Sequence, residues 1–71
     1  MTILSTKEAH GSMYVLTAFN GVHMVRRRVI NPKTGLPWQR MWAVARFEGD
    51  NAGFKALNAF NRALKTGEKG N

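Results

Sequence analysis

The side chains able to do chemistry in this 71-residue chain are mostly cations. Eleven Lys and Arg stand against four Asp and Glu, giving a formal charge of +7. Three arginines are consecutive, Arg26, Arg27 and Arg28, and the segment from Trp38 to Arg46 interleaves Trp38, Arg40, Trp42 and Arg46. Guanidinium forks pair bidentately with phosphate oxygens or guanine edges, and indoles stack on bases or lean on sugars. Such residues are suited to holding a polyanion. Catalysis has little to work with. His10 and His23 are the only histidines, and Glu8, Glu48, Asp50 and Glu68 are scattered with no spacing for general acid–base work. There is no Cys, so disulfides and thiolate ligands are excluded, and two histidines do not make a metal site. The glycines lack a phosphate-cradling spacing. The expectation is a protein that is not an enzyme and has no cofactor and no metal.

Length and composition narrow the class. A chain this short forms one domain with a marginal core. Hydrophobic residues make up 44%, too many for a disordered basic tail. No apolar run approaches the ~20 residues of a membrane span, and residues 1–12 lack a cationic start followed by an apolar stretch. A cytoplasmic or nucleoid-associated protein with no membrane partner is expected.

The elements that must position the arginines follow from turn residues. Met13–Phe19 and Val22–Ile30 are rich in β-branched and aromatic residues and flank Asn20-Gly21, the strongest short hairpin signal. Asn31 to Pro37 forms an exposed loop carrying Lys33, and Trp38–Phe47 makes a third strand. Asp50 or Asn51 caps a helix over Ala52–Thr66, which Lys65 and Gly67 close. On a helical wheel Phe54, Ala56, Leu57, Phe60, Ala63 and Leu64 share one half. The expected fold is α+β, a three-stranded antiparallel meander with one C-terminal amphipathic helix on one face (β-β-β-α). Residues 13–67 form the domain. Residues 1–12 are a flexible arm, or one helical turn if Ser5–Glu8 acts as a capping box, and 68–71 are a tail.

Strand parity divides the third strand. Met41, Ala43, Ala45 and Phe47 suit close approach by an alanine-bearing helix, which leaves Trp38, Arg40, Trp42 and Arg46 on the uncovered face. The alternative makes Trp42 and Val44 the core and displaces the arginines by a bulge. In the hairpin, the Asn20-Gly21 turn pairs Phe19 with Val22, Thr17 with Met24, Val15 with Arg26 and Met13 with Arg28. Neither side is wholly apolar. Leu16, Val25 and Val29 facing the helix places Arg26 and Arg28 on the open side, with Arg27 snorkelling past the helix edge.

This layout resembles the three-stranded DNA-binding domain of plant ethylene-response factors and the amino-terminal domains of phage and transposon integrases. The resemblance covers residues 12–66 and is carried by Val25-Arg26-Arg27-Arg28, Arg40-Met41-Trp42 and Ala59-Phe60-Asn61-Arg62-Ala63. In those families the sheet lies in the major groove, which implies contacts from Arg26, Arg28, Arg40 and Trp42. Trp42 and Phe47 are one residue further apart than in the family, which reverses their relative facing unless a bulge intervenes.

The expected function is double-stranded DNA binding by a small basic protein, through Arg26, Arg28, Lys33, Trp38, Arg40, Trp42 and Arg46. A second expectation is a phage-type inhibitor or adaptor docking on an acidic host protein, since tryptophan and arginine also make interface hot spots. Homodimerisation through the sheet is compatible with either.

Overall fold

The computed structural model describes residues 1–67; the expected tail, 68–71, lies outside the described residues. The elements are β1 (Thr2–Ala9), β2 (Ser12–Phe19), β3 (Val22–Val29), β4 (Trp42–Glu48) and α1 (Ala52–Thr66). The fold is α+β, with an antiparallel sheet in the order β1-β2-β3-β4 and one C-terminal helix.

The sheet therefore has four strands, not three. The segment expected to be an arm is β1, paired with β2 along its length. His10-Gly11 makes the connecting turn, with φ of 53° and 70°, matching the 49° and 76° of Asn20-Gly21. Both turns need positive φ at two successive residues. Asparagine at the first position advertises this; histidine rarely does, so the β1–β2 hairpin is hidden in the sequence. The β2–β3 register follows Asn20-Gly21 as read, pairing Phe19 with Val22, Thr17 with Met24, Val15 with Arg26 and Met13 with Arg28.

The helix packs through alanines. Ala52, Ala56, Ala59, Phe60 and Ala63 are buried, and they meet Tyr14, Leu16 and Val25 of the sheet. Phe54, expected in the core, is 73% exposed, and Leu57 is exposed as well. Packing density explains the rotation. A face of methyl groups lets the helix axis come close to Tyr14 and Val25, whereas Phe54 and Leu57 would hold it away. Burying the side chains of Phe60 and Val25 contributes about 1.5–3 kcal/mol each.

The helix lies obliquely across the sheet. Its first turn sits by β3, where a Cβ on Gly53 would be 3.5 Å from the His23 ring. Its last turn reaches the β1–β2 turn, where His10 Nε2 donates to the Leu64 carbonyl at 2.8 Å. Gly67 closes the helix in the left-handed region, at φ 72°, and donates its N–H to Ala63 O. At the other end Asn51 occupies the N-cap position, also left-handed, with no side-chain cap bond. The helix start thus rests on asparagine's tolerance of positive φ rather than on side-chain capping.

Replacing Gly67 with Ala strains a left-handed residue and sets a Cβ 3.1 Å from His10 Cγ. The expected loss is about 1–2 kcal/mol of stability, read by urea denaturation. An unchanged midpoint would show that the helix end is not held by this contact.

Candidate nucleic-acid interface

Directly paired residues in an antiparallel sheet share a face, so the register assigns each cation of the strands to a side. On the helix-free side β2 contributes Val15 and Thr17, β3 contributes Met24, Arg26 and Arg28, and β4 contributes Arg46, which pairs with Met24. Arg26 and Arg28 stand where parity puts them, opposite Val15 and Met13. Arg27 stands on the helix side, opposite Tyr14.

Trp42 is not on the helix-free face and Trp38 lies in the loop beside Trp42, which corrects the reading of β4. Trp42 pairs with Arg27 and Phe47 with His23, both on the helix side, while Arg46 faces the other way. A bulge is the cause: Val25 pairs with Ala45 and Arg26 with Ala43, leaving Val44 as the extra residue. Simple alternation fails across it. Ala45 and Phe47 pack against the core as expected, Val44 does so as in the bulge alternative, Ala43 turns to the helix-free side, and Met41 is exposed outside the strand. The same bulge brings Trp42 and Phe47 to one side despite their longer spacing. The strand also starts later than expected, at Trp42, because residues 30–41 form a folded loop.

That loop is held by its own hydrogen bonds. Ile30 bridges Pro37, Trp38 N–H donates to Val29 O at 2.8 Å, and Asn31 Oδ1 accepts the Lys33 N–H at 2.9 Å. Lys33 is thus exposed in a closed turn. Trp38 is exposed, and its carbonyl accepts Arg28 Nε at 2.6 Å. The candidate residues therefore fall into three groups: Arg26, Arg28 and Arg46 on the open face, Lys33 in the loop turn, and Trp38, Arg40 and Trp42 at the sheet corner.

The open face is cationic over an apolar floor. Thr17 is buried here without any helix above it, beneath the methionines and arginine stems. Arg26 approaches the sulfurs of Met24, at 3.3 Å, and Met1, at 3.9 Å. A shallow hollow of about 330 Å³ lies among Met1, Thr17, Phe19, Met24, Arg26 and Arg46. Arg46 pairs with Glu48 at 3.3 Å, with both side chains more than half exposed. An exposed pair of this kind is worth at most ~1 kcal/mol, so an incoming anion can compete for Arg46. Glu8, opposite Met13, is the other acid on this side.

At the corner, the guanidinium carbons of Arg27 and Arg40 each lie 5.1 Å from the Trp42 ring centroid. These are cation–π contacts, with Arg27 further held by Ser12 Oγ at 3.3 Å. That Arg27 meets Trp42 is not readable from strand parity, because its partner depends on the bulge. Among the described residues no three His, Asp or Glu come together as metal ligands, and no helix is long and apolar enough to cross a membrane. No protein-family model, curated protein or solved structure matches this chain.

Two cations over the Trp42 ring should make tryptophan quenching charge-selective. Iodide is expected to quench tryptophan emission more than caesium does, and added salt should narrow the difference. Equal quenching by the two ions would mean that the arginines do not lie over the Trp42 ring.

Proposed function

We propose that this chain is a small basic protein that lays the helix-free face of its sheet on double-stranded DNA. The observation that carries this reading is the alignment of Arg26, Arg28 and Arg46 on one uncovered face, with Lys33 exposed in the adjoining loop. The ~12 Å major groove admits a two-stranded ribbon, so it is the β3–β4 half of the four-stranded sheet, the half that carries the arginines, that would enter it. Each arginine that neutralises a phosphate releases condensed counterions, which drives association. The resemblance to ethylene-response factors and integrase amino-terminal domains is part of this proposal only, and it is weakened by the fourth strand and by Trp42 standing on the helix side. The site needs no cofactor, and a role beside DNA in the cytoplasm or nucleoid follows from this reading. The chain is read as a binding protein, not an enzyme.

The same face supports a second reading, docking on an acidic protein. The hollow beside Met1, Phe19 and Met24 would accept an apolar side chain while Arg26 and Arg46 meet carboxylates. A second copy fits less well, because two such faces would bring six arginines together. Both outer strands also carry a bulge, at Leu4 in β1 and Val44 in β4, which disfavours edge-to-edge pairing.

Replacing both Arg26 and Arg46 with Ala should lower the slope of log affinity against log salt for a blunt duplex by about 2, at roughly 0.9 per phosphate contact. Arg28 is left in place because it also holds the Trp38 carbonyl. An unchanged slope would remove these residues from the interface. A stoichiometric protein that co-purifies after nuclease and high salt would favour the second reading.

A further inference from the structure

We infer that the corner of the sheet left bare beside the helix is a second binding site, which takes an unpaired nucleobase together with its phosphate. It extends the nucleic-acid reading but uses residues on the other side of the sheet. The helix runs obliquely from His23 to His10, so it leaves uncovered the end of β3, the start of β4 and the base of the loop. There Val29, Trp38, Arg40 and Trp42 line an open hollow of about 370 Å³. That size lies within the range of small-ligand sites.

The parts are held in place before any ligand arrives. Trp38 is anchored through both of its backbone polar groups, its N–H donating to Val29 O and its carbonyl accepting from Arg28 Nε. Trp42 belongs to β4 and is flanked by the guanidiniums of Arg27 and Arg40. Arg27 Nε is buried with no hydrogen-bond partner. The Arg46–Glu48 ion pair lies on the other face, and among the described residues no carboxylate is paired with Arg27 or Arg40 at this corner.

The lining therefore offers flat apolar faces and positive charge, with no side-chain carboxylate or hydroxyl acceptor among the four residues. The complementary ligand is flat, aromatic and anionic. A base inside a duplex is stacked on both faces and cannot enter, whereas an unpaired base can stack on Trp38 or Trp42 with its phosphate against Arg40 or Arg27. A peptide with aromatic and acidic side chains shares part of this chemistry. Its main-chain donors, however, would find no side-chain carboxylate or hydroxyl partner in the lining. The observations favour single-stranded nucleic acid.

Trp38 and Trp42 are the only tryptophans, so emission reports on this corner alone. The test titrates the intact chain with a short oligothymidylate and, separately, with a blunt duplex. Oligothymidylate is expected to quench the emission, and Trp38→Ala to weaken its binding about tenfold while changing duplex affinity less than about twofold. Trp38 is exposed, so its loss leaves the core intact; Arg40→Ala serves as the second variant and should show the same selectivity. The inference is overturned by absence of quenching with oligothymidylate. Equal weakening of both ligands, or quenching by an acidic aromatic peptide in its place, would overturn it as well. Quenching by oligothymidylate without any duplex binding would remove the sheet-face reading and leave this one standing.

Discussion

One helix of fifteen residues must cover a four-stranded sheet, and it is too small to cover both faces or even all of one. The alanine face of α1 settles where it lies. Ala56, Ala59 and Ala63 allow close contact with Tyr14, Leu16 and Val25, and Phe60 fills the remaining space. Everything outside that contact must be made tolerable to water by other means. On the opposite face this is done by Met1, Met24, Arg26 and Arg46, which surround the buried Thr17. At the corner it is done by guanidiniums placed over Trp42. The cations that make the protein basic are thus also the cover for apolar surface that the helix does not reach.

The oblique path of the helix is marked at its two ends by histidines, one from a turn of the sheet and one from a strand. His10 donates to the Leu64 carbonyl from the β1–β2 turn, and His23 lies against Gly53 from β3. This gives the first strand a role that a three-stranded arrangement would lack. β1 adds an edge and brings His10 under the helix end, so the helix is tied to all four strands rather than to the hairpin alone.

How far the sequence could be read depended on whether a local rule named the feature. Asn20-Gly21 set the register of β2 and β3, and from it the facing of Arg26, Arg27 and Arg28. Leu16 and Val25 then chose the helix side. The helix ends were legible through Asn51 and Gly67, although Asn51 acts through its backbone and not through a cap bond. Two things were not legible, and a third, the bulge that turns Trp42 to the helix side and Val44 onto the core, was present only as an alternative. His10-Gly11 made a hairpin turn with a residue that seldom signals one. The extra residue Val44 reversed the alternation within β4, so Trp42 and Arg46 parted company. The phase of the helix followed close packing of methyl groups rather than the largest apolar side chains, so Phe54 and Leu57 were left outside. Each of these is a tertiary preference overriding a local pattern.

The division of the cations between two surfaces is the central claim, and its most direct measurement is a map of amide and side-chain NMR shifts on adding a blunt duplex. The expected result is a footprint on β3 and β4 centred on Arg26, Arg28 and Arg46, extending to Lys33, with the amides of α1 unmoved. A footprint on the outer side of α1, around Lys55, Arg62 and Lys65, with β3 silent, would contradict it.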